Sequence, residues 1–375
     1  MKKILLTFTL LSLINSYSFS QENNTEVNSD TKKKWWENIK QSTTFGGYVI
    51  GKASFNDQDL DSKNKTHSTF DIRLIRAYVN GKLWDFKYGL QMEMNGVAGT
   101  GTEKGPRVID AWTEWCKYKF ASIKFGEFKR GFTFENPMNP WDVGFTSNSQ
   151  VISKLAGMSD RVGEHSSGGR DLGLQLQGDL FTSKKDGHSF LHYQIGIYNG
   201  QGINHADENN TKDIIGGIWV SPVKDLCIGA FGWAGNYTKT VDGKDITVDR
   251  NRMAFGLKYE SKWTVRGEYV TSQGHKISDY NINGNEITVS GNDRADGWYV
   301  MVGAPATSHC KIYGKWDVYR DDKTFNKQKS IYAAAVNYYF HKNFKLQAEY
   351  QFVNDKSYVG DQHYNVGEIQ LYWRF

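Results

Sequence analysis

The sequence predicts an all-β fold: a sixteen-stranded antiparallel transmembrane β-barrel with a long third external loop folded into its lumen. Three observations support this fold class. Aromatic residues make up 14% of the 375 residues and glycine accounts for 38, yet the mean hydropathy is −0.60. Sixteen segments alternate apolar and polar residues with the period of a β-strand. The connections between these segments alternate between short and long along the chain.

The composition excludes several other classes of protein. A helical membrane protein needs about 18 or more consecutive apolar residues per span, and the polar average argues against that class. Disordered chains are depleted in aromatics, whereas this chain has 12 Trp, 21 Tyr and 21 Phe. A transmembrane barrel can be polar on average because only alternate residues face lipid. The near balance of 46 basic and 41 acidic residues predicts no nucleic-acid partner.

The N-terminal segment predicts export from the cytoplasm. A basic pair, a short apolar stretch over 4–14 and small residues before Gln21 are typical of a signal peptide over 1–20. The alternative is a buried N-terminal helix. The next segment, 21–42, is polar and is predicted to be a periplasmic leader. The barrel is predicted to occupy 43–375.

The strands are predicted from period-two alternation, which places apolar and polar side chains on opposite faces. The clearest case is 344–352, where Phe, Leu, Ala and Tyr alternate with Lys, Gln and Glu. A change of phase near Leu74-Ile75 in the segment 68–84 predicts a β-bulge. The predicted strands are 43–55, 68–84, 86–95, 108–118, 121–130, 170–181, 190–199, 212–220, 226–237, 250–259, 263–272, 294–304, 310–319, 330–340, 344–353 and 364–375.

The connections predict the topology. All eight long loops fall on one side of such a sheet and all seven short turns on the other, which is typical of an up-and-down outer-membrane barrel. An even number of strands would place both termini on the short-turn, periplasmic side. Barrels of about sixteen strands are too wide for side chains to fill, so they enclose water. A soluble all-β fold is the alternative.

The third long loop, 131–169, is unlike the others. It exceeds the roughly 15 residues beyond which an irregular loop is usually functional or disordered. It also carries Phe132, Phe134, Trp141 and Phe145, which should pack against something. We therefore expect it to fold into the lumen as a constriction loop. An exposed surface loop is the alternative.

Several motifs resemble one family of barrels. Arg73-Leu-Ile-Arg76-Ala-Tyr is followed by Lys124-Phe-Gly-Glu-Phe-Lys-Arg130, and the third loop closes with Gly169-Arg170-Asp171-Leu-Gly173. Over roughly 43–375 the chain resembles the phosphate-selective porin O/P family. The resemblance implies a sixteen-stranded, usually trimeric porin whose third loop narrows the pore. It also implies lumen arginines that bind anions.

The candidate pore-lining and anion-contact residues follow from this resemblance. Between 131 and 169 only two basic residues face four acidic ones, so any anion or phosphate preference is expected to be modest. For each arginine, ordinary solvation or an ion pair with a neighbouring acid is an equal alternative. The candidates are Arg73, Arg76, Lys129, Arg130, Lys154, Arg161 and Arg170.

The predicted function is passive diffusion of small hydrophilic solutes and ions through the outer membrane. The predicted partners are outer-membrane lipid, these solutes and two further copies of the chain in a homotrimer. No enzyme, cofactor or metal site is predicted, because the nine histidines are dispersed and no H-E-x-x-H or C-x-x-C motif occurs. The three cysteines are expected to be small wall residues. The alternatives are a non-pore barrel that acts as an adhesin or binding protein, and a barrel hydrolase.

Overall fold

A computed structural model describes residues 42–59, 67–95, 105–164, 167–284 and 286–375. The predicted signal peptide and almost all of the predicted leader lie outside the described residues. In chain order the strands are β1 (Thr43–Asn56), β2 (His67–Leu83), β3 (Phe86–Glu93), β4 (Arg107–Trp115), β5 (Ser122–Lys129), β6 (Arg170–Thr182), β7 (Ser189–Tyr198), β8 (Asp213–Val220), β9 (Leu226–Ala234), β10 (Asn236–Val241), β11 (Lys244–Asp249), β12 (Asn251–Glu260), β13 (Thr264–Gln273), β14 (Tyr280–Asn283), β15 (Glu286–Val289), β16 (Arg294–Pro305), β17 (Cys310–Arg320), β18 (Gln328–His341), β19 (Phe344–Asp355) and β20 (His363–Arg374).

Sixteen of these strands form one closed antiparallel barrel, in which β1 pairs with β20 to complete the circle. Each of the others pairs with the next barrel strand along the chain. The predicted fold class is confirmed, and the predicted strand bounds agree with the structure to within about three residues. The closure satisfies the backbone hydrogen bonds of every strand within the sheet, as a bilayer requires.

The two faces of the barrel wall differ as the period-two pattern predicts. Outward side chains are apolar and exposed, for example Ile218 at 52%, Val300 at 48% and Ile369 at 52%. Inward positions on the same sheet are largely polar and buried, and Gln347 and Gln370 have no exposed surface. Such an apolar belt around a polar interior is the arrangement of a barrel that spans lipid.

The predicted change of phase in β2 is a β-bulge. Ile50 pairs with Leu74, but the next residue, Gly51, pairs with Ile72, so Arg73 is the extra residue. The bulge therefore lies one residue before the predicted position. It restores the alternation so that Arg76 points inward, where it bonds to Tyr48.

Two predicted loops contain secondary structure that the sequence analysis missed. Residues 238–249 were expected to be a loop, but β10 and β11 pair as a separate hairpin. Residues 273–293 likewise contain the hairpin of β14 and β15. The first hairpin turns at Asp242-Gly243, where both residues have positive φ, a conformation that Asp-Gly favours.

Helical structure is sparse in the described residues. The third loop contains one short helix, α1 (Gln150–Leu155), which the sequence analysis also missed. Two single 3₁₀ turns lie at Ile277–Asp279 and Phe325–Lys327. No helix within the described ranges is long and apolar enough to cross a membrane.

The apolar belt leads to a test of sidedness. Val336→Arg places a charge on the outward face of β18, and we expect it to lower the free energy of unfolding by about 2–4 kcal/mol. Gln351→Arg is the matched control, because Gln351 faces a cavity inside the barrel, and it should change that energy by less than about 1 kcal/mol. Urea unfolding of protein folded into lipid vesicles measures both. Equal losses in the two variants would contradict the assigned faces.

Candidate functional site

The third loop, which joins β5 to β6, lies inside the barrel. Its aromatic side chains pack edge-to-face on inward-facing rings of the wall: Phe134 on Trp219 of β8, with centroids 5.6 Å apart, and Phe132 on Trp233 of β9 at 5.5 Å. At its far side Trp141 packs on Tyr372 at 5.8 Å. The loop thus follows the inner wall from β8 round to β20, and the predicted inward fold is what the structure shows.

Helix α1 anchors the middle of the loop. Val151, Ile152 and Leu155 are fully buried in the lumen core. The backbone N–H of Gln150 is at the start of the helix and has no partner within it. This N–H donates instead to the Asp317 carboxylate of β17 at 2.9 Å. The short helix is therefore held by both its apolar face and its first turn.

Side chains of the barrel wall are hydrogen-bond partners for buried backbone groups of the loop. The Glu268 carboxylate accepts hydrogen bonds from the N–H groups of Phe134 at 2.6 Å and Glu135 at 2.9 Å. Lys345 donates to the Trp141 carbonyl at 2.8 Å. Because an unpaired buried polar group costs about 1–3 kcal/mol, these wall residues fix the path of the loop.

A buried charge cluster holds the base of the loop. Arg130 pairs with Glu164 at 3.2 Å and with Asp171 at 2.9 Å. Arg250 of the wall pairs with the same Glu164 at 2.5 Å and with Asp213 at 2.6 Å. All five side chains are essentially inaccessible to solvent. Three carboxylates thus face two guanidinium groups, so Arg130 is a structural cation.

A second ion pair holds the return of the loop. Arg252 of β12 binds Asp160 through both terminal nitrogens, each at 2.6 Å. Burial alone would raise the pKa of Asp160, but the Arg252 guanidinium outweighs it and lowers this pKa to about 2. The guanidinium of Arg252 also lies 4.7 Å from the ring centroid of Trp233. Asp160 is therefore ionised across the physiological range of pH.

An inner cavity of about 570 Å³ lies between the loop and the opposite wall. Residues 130–140 line one side, and β1 to β7 supply most of the other. The charges that line it are strongly unequal, since seven are basic and one, Asp110, is acidic. The basic residues are Arg76, Lys124, Lys129, Arg130, Arg170, Lys258 and Arg374.

Three of these seven basic residues are held in ion pairs with carboxylates. Arg130 belongs to the buried cluster. Arg76 pairs with Glu93 at 2.6 Å, and Arg170 pairs with Asp110 at 3.0 Å. These three predicted anion contacts are thus held in ion pairs, the alternative that the sequence analysis left open.

The other four basic groups have no carboxylate within ion-pair distance in the part of the chain that the structure describes. Lys129 donates to the carbonyls of Asn136 at 2.6 Å and Met138 at 2.9 Å. The remaining three rest against aromatic rings: Lys124 4.0 Å from the ring centroid of Trp112, Lys258 near Phe134 and Arg374 near Trp141. The cavity therefore carries uncompensated positive charge.

An outer cavity of about 670 Å³ lies on the other side of the loop, toward the long loops. The predicted residues Lys154 and Arg161 line it, and Arg161 pairs with Asp321 at 3.5 Å. Its charges are nearly balanced, with six basic residues and five aspartates. The remaining candidate, Arg73, lies at the bulge and donates to Gln370 at 3.0 Å.

The sequence analysis missed Lys124, Lys258 and Arg374 as charges of the inner cavity. Each stands at a polar, inward position of an alternating strand, so the pattern did contain a signal. The alternation does not show which side chains surround these three residues in the folded barrel. The three cysteines are free and half-buried, and no group of metal-ligating side chains occurs within the described residues.

Comparison with known proteins shows similarity in structure alone. No protein-family model and no curated protein matches the chain. Among solved structures, the anion-selective porin of Comamonas acidovorans has a TM-score of 0.62 at 12% identity, over 89% of this chain and 99% of that one. The Salmonella typhi OmpF complex with daunomycin gives 0.61 at 14%, over 89% and 97%.

A third similar structure is in-vitro folded OmpT of Vibrio cholerae in its trimer form, with a TM-score of 0.56 at 14% identity, over 89% of this chain and 99% of that one. At such identities the likeness establishes the fold. The chain therefore has the sixteen-stranded barrel fold found in outer-membrane porins.

The pairing of Asp160 with Arg252 predicts a dependence of stability on pH. An ordinary Asp has a pKa near 3.9, so a folded pKa of about 2 stabilises the fold above about pH 4, and this contribution is lost as the pH falls toward 2. Asp160→Asn should therefore be less stable than the natural chain at pH 7. The difference should shrink to nearly zero at pH 2.

Urea unfolding in detergent at pH 7, 4 and 2 measures this difference in the free energy of unfolding. A difference that stays constant over this range would contradict the ion pair as its cause, because the neutral amide cannot titrate.

Proposed function

We propose that the chain is an outer-membrane porin through which small hydrophilic solutes and ions diffuse passively, with a modest preference for anions. One observation carries the preference: the inner cavity has seven basic residues and one acidic residue, and four of the basic groups lack a carboxylate partner. The fold supports the pore, because a barrel of about sixteen strands encloses a channel that side chains do not fill.

The expected strength of the preference follows from Coulomb's law. Two unit charges 4 Å apart interact by about 1 kcal/mol in water and about 4 kcal/mol at an effective dielectric constant of 20. Salt screens such interactions beyond about 8 Å at physiological ionic strength. A few uncompensated lysines therefore favour anions several-fold and still admit cations and neutral solutes.

The finer assignments are part of the same proposal. A preference for phosphate and membership of the phosphate-selective porin O/P family rest on the sequence resemblance. Assembly as a homotrimer is supported by that resemblance and by the similar trimeric structure. An outer-membrane location with both termini in the periplasm is supported by the apolar belt and by the gathering of the short turns at one end.

The preferred alternative to a pore is a barrel that binds a partner at its surface. The position of the longest loop argues against this alternative. The longest loop turns inward and packs on the wall through Phe132, Phe134 and Trp141, so it is not presented to a partner. A barrel hydrolase is the other alternative, and the measurement of current below discriminates both from a pore.

The test is single-channel recording of refolded protein in a planar bilayer under a KCl gradient. We expect stable current steps and a reversal potential that corresponds to a chloride permeability about three or more times that of potassium. The double variant Lys124→Gln with Lys258→Gln should lower that ratio clearly, because it removes two of the four basic groups of the inner cavity that form no ion pair.

The matched control is Lys154→Gln with Asp322→Asn, which removes one charge of each sign from the outer cavity and keeps its balance. It should leave the ratio nearly unchanged. Inorganic phosphate that reduces the chloride current at low concentration would support the finer preference. An absence of current steps from folded protein would contradict the pore and favour the alternatives.

A further inference from the structure

We propose that the inner cavity contains a binding subsite for organic anions with a flat apolar body, of the size and kind of an aromatic carboxylate. This inference rests on the proposed function, since such a solute would reach the subsite by diffusion through the pore. The observation behind it is that the cavity is apolar on the side of the loop and basic on the side of the wall.

The apolar side is formed by the loop. Pro137, Met138 and Pro140 line the cavity, and Pro137 is exposed to it. The path of the loop is fixed here, because Lys129 donates to the Met138 carbonyl at 2.9 Å. A rigid apolar surface that is already in place can bind a ring without the cost of ordering the loop.

The opposite wall provides an aromatic ring that packs against a glycine. Trp112 of β4 lies against the backbone of β3 at Gly89, where an added Cβ would come within 2.7 Å of the indole atom Cε2. Any larger residue at Gly89 would push the indole out into the lumen. The absence of a side chain at this position therefore leaves room for the indole of Trp112, which is half-buried and lines the cavity.

The charge for the carboxylate is Lys124. Its ammonium lies 4.0 Å from the ring centroid of Trp112 and 4.5 Å from that of Phe128. No carboxylate of the described residues forms an ion pair with it. A cation–π contact is worth about 0.5–2 kcal/mol, which is less than a charge-assisted hydrogen bond, so an entering carboxylate can take the ammonium as its partner.

The second charge is Lys258, whose ammonium lies 5.6 Å from the ring centroid of Phe134. It lines the same cavity and likewise has no carboxylate partner among the described residues. The cavity volume of about 570 Å³ lies within the range of small-molecule sites, about 300–1,000 Å³. An inorganic anion would use the lysines and leave the apolar side in contact with water.

Block of the chloride current tests this inference, with benzoate and acetate as probes added to refolded protein in a planar bilayer. Both carry one carboxylate, and benzoate adds the ring. We expect benzoate to block at a concentration about tenfold lower than acetate, because only the ring removes apolar surface from water. Equal block by the two anions would overturn the subsite.

Three variants locate the subsite. Lys124→Gln should weaken the block by benzoate about fivefold or more, since it removes the partner of the carboxylate. Met138→Ser should weaken the block by benzoate and leave that by acetate unchanged. Lys154→Gln, in the outer cavity, is the matched control and should alter neither. Unchanged block by benzoate in Lys124→Gln would contradict the proposed contact.

The failure of the subsite and the failure of the pore give different results. Current steps without selective block by benzoate would leave the porin intact and overturn only the subsite. If folded protein gives no current, calorimetric titration of the detergent-solubilised protein with benzoate and acetate still measures the site. Equal affinity for the two anions in that titration would overturn the subsite as well.

Discussion

The width of the barrel is the constraint on which the rest of this structure depends. Sixteen strands enclose more space than their inward side chains can fill, and the third loop occupies part of that space. Inside the lumen its backbone cannot rely on bulk water, so wall residues such as Glu268 and Lys345 bind it instead. The loop follows the wall from β8 to β20 and leaves open the sector next to β1 to β7.

The same anchoring determines the electrostatics of the open sector. Two of the four acids of the loop do not face the inner cavity, because Asp160 pairs with Arg252 and Glu164 with Arg250 of the wall. A count of charges on the loop alone therefore underestimates the positive character of the passage. The cavity is basic because its own wall contributes lysines such as Lys124, which forms no ion pair although Glu114 is its neighbour on the adjacent strand.

Whether a feature of this structure could be predicted from the sequence depends on how far apart along the chain the interacting residues lie. Strand positions follow from local alternation, and all sixteen were predicted. The hairpin of β10 and β11 has an Asp-Gly turn at its centre, but its strands are only six residues long, so its alternation was not recognised. Which acid pairs with which arginine depends on contacts such as Glu164 to Arg250, 86 residues apart, and no local pattern encodes them.

The most direct test of the basic passage is a crystal structure of the protein soaked in turn in potassium bromide and rubidium chloride, with anomalous scattering to locate each ion. The structure predicts bromide in the inner cavity near Lys124 and Lys258, and no rubidium there. Rubidium in that cavity without bromide would contradict the claim that its uncompensated charge is positive.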